Sequence, residues 1–306
     1  MPELPEVETV VRTLELLIQD RRIEHVEVRV PKMIQMEEAE FCRRLTGQHF
    51  RRFSRRGKYL IFQMDDLYFI AHMRMEGKFY VQLPQEPLSK HVHVIMDLDD
   101  GTQLRYHDTR KFGTMELLEL DGDLEHFHDL GPEPFSDQFN PAYCRAYLKK
   151  RRLPIKQCLL DQYFVAGVGN IYANEICFAL RIDPRKRSDQ LTRAQLEALP
   201  EVTRQILSLA IEAGGSSIRS YTSSLGVTGR FQLQIQVHGR EGEACPLCGG
   251  EIKKITVAQR GTYYCPHCQK KRGTGIEYDQ NCDYRRDRKR EVDAEYDPAQ
   301  TGVCGR

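Results

Sequence analysis

The 306-residue sequence contains no run of eighteen apolar residues, so no transmembrane helix and no membrane partner are expected. No basic-then-apolar leader opens it, which points to a cytoplasmic protein. It has no large charge excess either: 45 basic against 44 acidic residues leave a net charge of +1. Bulk charge therefore does not announce a nucleic-acid partner. The ten cysteines lack the regular pairing of a secreted disulfide scaffold. Four fall into a metal-ligand spacing, and Cys42, Cys144, Cys158, Cys177, Cys282 and Cys304 are scattered, as reduced thiols would be. What is present, 40% apolar and 29% charged residues, describes a soluble globular chain long enough for two cores.

Charge distribution says more than its sum. "RRFSRRGK" at 51–58, "KKRRLPIK" at 149–156 and "RIDPRKR" at 181–187 are basic clusters. Each is either solvated surface charge or a set of phosphate contacts, and the cluster alone does not choose.

Residues 4–19 carry apolar positions at helical spacing, Val7, Val10, Val11, Leu14 and Leu17, with Pro5 suited to the first turn. From 23 to about 120 the pattern becomes short alternating runs separated by Gly and Asp turns, which predicts an antiparallel sandwich or barrel. "LGPEPFSDQFNP" at 130–141 is a Pro/Gly-marked break, and helical sequence follows it. Residues 215–235 read as a mobile Gly/Ser/Thr loop leading into a strand. The tail 273–306, dense in mixed charge and poor in core residues, reads as disordered.

"CPLC" at 245–248 and "CPHC" at 265–268 form a C-x2-C-x16-C-x2-C arrangement. Each pair can present two thiolates to one ion, and Cys245, Cys248, Cys265 and Cys268 complete a tetrahedral shell. A closed four-thiolate shell implies one structural zinc ion, with His267 not needed as a ligand. The alternative, two redox pairs, has no use for this separation. The intervening "IKKITVAQRGTYY" alternates as a hairpin, with its turn placed at Arg260-Gly261.

"LLDQYFVAGVGNIYANEICFAL" contains two helical runs around Gly167-Val168-Gly169-Asn170. Asn170 at a helix start, with free backbone N–H groups behind it, suits a phosphate. From this segment alone an ordinary capped helical hairpin is the favoured reading, since such caps are common.

Together, "PELPEVET", "GKYL", "HMRMEG", "DTRKFG", "LLDQ…VAGVGNIYANE", "FQ…VHGREGEACPLCG" and "RGTYYCPHCQ" resemble the formamidopyrimidine-DNA glycosylases, bacterial base-excision enzymes for oxidised purines. The resemblance runs from residue 2 to about 272, in the family order. It implies an α+β fold: an N-terminal helix with an antiparallel β-sandwich catalytic domain (2–130), a linker (131–141), a helix-two-turn-helix DNA-binding domain (142–235), a zinc-ribbon finger (236–272), and then the tail. It also implies a monomer in the bacterial, nucleoid-associated cytoplasm, acting on damaged double-stranded DNA without a redox or organic cofactor. No heptad seam contradicts the monomer.

The resemblance assigns roles. Met1 is removed, and Pro2 becomes a secondary-amine nucleophile that attacks sugar C1′ and forms a Schiff base. Glu3 exchanges protons with the sugar and the leaving group, and Glu6 supports it. Taken alone, both acids read as complements to a helix dipole. Lys58 matches the β-elimination proton donor and Arg260 the δ-elimination residue. Met75, Arg110 and Phe112 match the residues that fill the hole left by a flipped base. His91, Arg152, Lys156 and Asn170 match backbone contacts, and His72 is a further candidate. The stretch 216–229 matches the lesion-recognition loop.

Three features depart from the family pattern: Gln259 where a glycine often precedes the hairpin arginine, Val92 at a usually polar position, and the tail. Two rivals remain: a sister enzyme of the endonuclease VIII type, preferring oxidised pyrimidines, and a non-catalytic zinc-ribbon DNA binder on the same scaffold.

Overall fold

The computed structural model describes residues 1–120, 127, 129–215 and 231–270. The expectations for 216–229 and for the tail 273–306 fall outside these residues. Helix α1 (Leu4–Ile18) buries Val7, Val10, Val11, Leu14 and Ile18 along one stripe and leaves Leu16 in solvent. That stripe is the 3.6-residue period made physical.

Eight strands follow: β1 (Ile23–Val28), β2 (Arg52–Arg56), β3 (Tyr59–Gln63), β4 (Leu67–His72), β5 (Lys78–Gln82), β6 (Val92–Leu98), β7 (Gln103–His107) and β8 (Thr114–Glu119). They form two four-stranded sheets, ordered β1-β6-β7-β5 and β2-β3-β4-β8, with every strand pair antiparallel. Phe62, Phe69 and Phe79, with Leu60, Val94, Leu104 and Met115, are core residues between them. A short helix, α2 (Glu38–Leu45), interrupts the strand region; the sequence pattern misses it because only Phe41 and Leu45 mark its buried side.

The helical part comprises α3 (Pro141–Leu148), α4 (Ile155–Leu160), α5 (Asn170–Ala179) and α6 (Arg193–Glu212) around a second core of Phe139, Phe164, Tyr172, Ile176, Leu199 and Ile206. Leu4 belongs to this second core while the rest of α1 belongs to the first. The opening turn of the chain thus sits where the two cores meet. After the undescribed stretch the chain resumes as a 3-10 turn, Phe231–Leu233, not as the expected strand.

The ribbon hairpin is β9 (Lys253–Val257) and β10 (Arg260–Tyr264). Its turn lies at Ala258-Gln259, both left-handed (φ 49° and 58°), and not at Arg260-Gly261. Two left-handed central residues match the right-handed twist of the paired strands. Gln259 therefore adopts the conformation a glycine would, and Arg260 becomes the first residue of β10. Among the described residues no helix is long and apolar enough to cross a membrane.

Candidate active site

Glu3 caps α1 and is almost fully buried. Its backbone N–H donates to Glu6 Oε2 at 2.9 Å, and Glu6 Oε1 accepts the Tyr172 hydroxyl at 2.7 Å. The Glu3 carboxylate reaches the other way, to the start of α5. Oε1 accepts the Ile171 N–H at 2.8 Å, and Oε2 lies 3.4 Å from the Tyr172 N–H. The free N–H groups expected to await a phosphate are therefore occupied by a carboxylate of the chain itself. The cap of α5 is Gly169, not Asn170.

The glycine turn explains the fit. Leu4 N–H donates to Gly167 O at 3.0 Å, and Gly167 is left-handed with φ 88°. A Cβ there would come within 2.6 Å of the Leu4 side chain, and one at Gly169 within 2.6 Å of Glu3 Oε1. The two glycines let the backbone lie against the first residues of α1.

Burial pushes the Glu3 carboxyl up to about 7, against the lowering pull of Lys58 and the two backbone donors; Glu6 adds to the rise. Lys58 follows the left-handed Gly57 in the β2–β3 turn and is itself buried. Its Nζ donates to Val168 O at 2.9 Å. Burial pushes this ammonium below its ordinary value, Glu3 and Glu6 pull it back, and Arg260 lowers it further. A carboxyl near neutrality beside a desolvated lysine is an arrangement suited to proton transfer. Pro2 is half-buried directly before Glu3.

Arg260 is exposed on the hairpin. Its placement depends on its neighbour Gly261, whose carbonyl accepts Lys156 Nζ at 3.0 Å and Asn170 Nδ2 at 3.1 Å. Lys156 Nζ also donates to Thr262 Oγ1 at 2.7 Å. Lys156 is thus buried beneath the hairpin, where desolvation lowers it to about 8. His72 is likewise inside: its Nδ1 accepts the Arg74 N–H at 2.9 Å, its ring meets Tyr59, and burial lowers it to about 3. A neutral, buried imidazole shapes the turn before Met75.

Met75 and Phe112 are 38% and 50% exposed, and both line one cleft with Met1, Lys32 and Arg74. The Arg110 guanidinium lies 4.6 Å from the Phe112 ring centre. Asp108, which sequence reasoning passed over, builds the loop that holds them. Its buried carboxylate accepts the N–H groups of Arg110, Phe112 and Gly113, each at 2.9 Å. An Asp opening a short Gly-ended loop was the available signal. His91 is half-buried, its carbonyl accepting the Asp108 N–H at 2.9 Å and its ring 5.4 Å from that of His107, and Arg152 is exposed.

The basic cluster at 51–58 is largely paired with acids of the chain itself, Arg51 at the surface and Arg55 and Arg56 partly buried. Arg55 pairs with Glu8 and Glu133, Arg56 with Glu133 and the Leu130 and Gly131 carbonyls, and Arg51 with Asp65 and Asp20. At 181–187, Arg185 and Arg187 are held by Asp183 and Asp189. At 149–156, Lys149, Lys150 and Arg152 remain exposed.

The four cysteine sulfurs all lie within 4.8 Å of one another. Cys245 to Cys268 is 3.8 Å and Cys248 to Cys265 is 3.5 Å. Zn–S bonds of about 2.3 Å in a tetrahedron place sulfurs about 3.8 Å apart, whereas a disulfide would need about 2.05 Å. The donor set fits one structural zinc ion. The ribbon docks through Gln269, which takes the Cys265 N–H and donates to Ile182 O, both at 2.8 Å. Buried Glu175 on α5 accepts the N–H groups of Gln236, Val237 and His238 and fixes the approach to the ribbon.

Comparison with known proteins agrees with this geometry. Family profiles match residues 1–115 (formamidopyrimidine-DNA glycosylase N-terminal domain), 130–222 (formamidopyrimidine-DNA glycosylase H2TH domain) and 242–271 (zinc finger found in FPG and IleRS). Formamidopyrimidine-DNA glycosylases of Bacillus licheniformis and Bacillus subtilis are 48% and 46% identical, each over 89% of this chain and 100% of the relative. A Lactococcus lactis Fpg solved in complex with abasic-site DNA is 45% identical, with a TM-score of 0.84 over 88% of this chain and 99% of that one. A mutant of it with Fapy-dG-containing DNA matches equally at 0.84 and 44%, over 88% and 100%. With its sandwich, helical unit and four-cysteine ribbon all matched in order, the chain belongs to the formamidopyrimidine-DNA glycosylase family.

Proposed function

We propose that this chain is a base-excision DNA glycosylase and abasic-site lyase that removes oxidised purines, 8-oxoguanine and formamidopyrimidines, from double-stranded DNA as a monomer. The observation that carries the reading is the buried Glu3 carboxyl, raised toward neutrality between the start of α5 and Lys58, one residue from Pro2.

The chemistry follows from the residues. With Met1 removed, the Pro2 nitrogen is a secondary amine, and a free α-amino group of ordinary pKa about 7.7–8.0 is partly unprotonated near neutrality. Its lone pair attacks C1′ of the flipped nucleotide and the base leaves with the bonding electrons. Glu3 supplies and recovers protons at the sugar oxygen and the leaving group. The iminium formed acidifies C2′, so loss of a C2′ proton expels the 3′ phosphate. Lys58 serves that β-elimination, and Arg260 serves the δ-elimination that follows. Glu6 fixes the Glu3 backbone.

Base flipping leaves a gap that Met75 and Phe112 fill, with Arg110 hydrogen-bonding the unpaired cytosine. His91, Arg152 and the Asn170 side chain hold phosphates. Lys156 acts through Gly261 on Arg260, and His72 acts through the Met75 turn. The zinc ion, when bound, supplies no chemistry to the reaction; it closes the ribbon that carries Arg260.

Lesion choice is tested by comparing single-turnover cleavage of duplexes holding 8-oxoguanine opposite cytosine or thymine glycol. The purine lesion is expected to be processed at least about tenfold faster, the scale of one good hydrogen bond in a recognition pocket. A strong thymine-glycol preference would assign the chain to the oxidised-pyrimidine enzymes instead.

A further inference from the structure

Tyr106 lies on β7 with 1% exposure, its ring 4.9 Å from Phe79. Its hydroxyl end projects between two glycines from different loops. A Cβ on Gly113 would fall 2.7 Å from Tyr106 Cζ and nearer still to the hydroxyl oxygen. A Cβ on Gly77 would fall 2.9 Å from the same Cζ, again nearer the oxygen. Neither glycine needs φ above zero, so steric approach is what excludes a side chain at both.

Gly77 closes the turn that carries Met75, through its N–H to Met73 O at 3.0 Å, with Arg74 left-handed at φ 53°. Gly113 closes the Asp108 loop that carries Arg110 and Phe112, with Lys111 left-handed at φ 56°. One buried phenol therefore touches the base of both loops whose tips are exposed and apolar.

We propose that Tyr106 is a positioning residue that sets the separation of Met75 from Phe112, so that both enter the base stack together. The inference rests on reading those residues as the wedge. The hydroxyl acts as a spacer: packed interiors transmit sub-ångström shifts because they do not compress. Shortening the side chain lets the two loops settle independently, which lowers the chance that both tips reach the gap.

The test uses the full zinc-loaded chain carrying Tyr106→Phe, and separately Gly113→Ala, which forces the same contact apart from the other side. Three readouts are taken on each. They are single-turnover excision of 8-oxoguanine opposite cytosine, stack opening followed by a fluorescent base analogue beside the lesion, and cleavage of a preformed abasic site. Excision and stack opening are expected to slow together by roughly tenfold to a hundredfold, the cost of misplacement near 1 Å. Cleavage at the abasic site, which has no base to unstack, is expected to stay within about twofold.

Parent-like excision in a variant with unchanged melting and zinc content would overturn the inference. So would an equal fall in excision and abasic cleavage, which a purely structural role produces. Met75→Ala/Phe112→Ala separates the two levels. If that variant slows stack opening while Tyr106→Phe does not, only the role of Tyr106 falls. If that variant leaves stack opening unchanged, the wedge reading fails, and the inference with it.

Discussion

Glu3→Gln is expected to slow base excision by roughly a hundredfold to ten-thousandfold, the range for losing a positioned acid-base group. The amide keeps the shape and can still accept the Ile171 N–H, so the start of α5 stays in place. What disappears is the exchangeable proton. In the parent, burial raises this carboxyl from 4.5 to about 7, so its acid form is present at neutral pH and is lost as the pH rises further. A Glu3-dependent rate therefore declines on the alkaline side of about 7, and the variant loses that limb.

The same shift has a stability signature of definite sign. Between about pH 4.5 and 7 the folded chain holds a proton that the unfolded chain has released. Stability falls as pH rises through that window and levels off above it, by up to about 3 kcal/mol for this group. Denaturant unfolding at pH 5 and pH 8 should show a steeper loss for the parent than for Glu3→Gln. Equal pH slopes, with excision intact, would remove Glu3 from the mechanism.

Zinc removal is the second large effect. Chelation, or Cys265→Ser with zinc content measured directly, is expected to cut the δ-elimination product to below about one hundredth of the parent rate. The four thiolates close the base of the ribbon, β10 carries Arg260, and the Gly261 carbonyl is gripped by Lys156 and Asn170. Structural zinc contributes about 10–16 kcal/mol in isolated finger peptides, more than the few docking hydrogen bonds of Gly261, Thr262 and Gln269 can replace. The sandwich and helical cores share no residue with the ribbon cluster and should retain their helicity and their melting transition. Full δ-elimination by a zinc-free chain would show that Arg260 is not delivered by the ribbon.

The sequence pattern was legible where a residue's role depends on near neighbours. The α1 stripe, the alternating strands and the paired cysteines all repeat within a few residues, and the structure forms them where expected. Helix α2 escaped because two buried residues four apart do not make a visible period. The inward fate of Arg55 and Arg56 escaped for a different reason: Glu133 lies more than 75 residues along the chain. Lys156 is the same case, since its partners Gly261 and Thr262 come from a hairpin over a hundred residues later. Nor does local pattern distinguish Glu3 from an ordinary helix cap. It is one, and it also crosses to α5; only family resemblance pointed to the second use.

The whole reaction turns on Pro2 as its nucleophile. The most direct measurement is borohydride trapping on a duplex with 8-oxoguanine opposite cytosine, followed by peptide mass spectrometry. A covalent adduct on an N-terminal Pro2, with Met1 removed, is the result expected. Intact DNA binding without any adduct, and Met1 still joined to Pro2, would contradict it and leave a DNA-binding protein whose opening stretch only caps a helix.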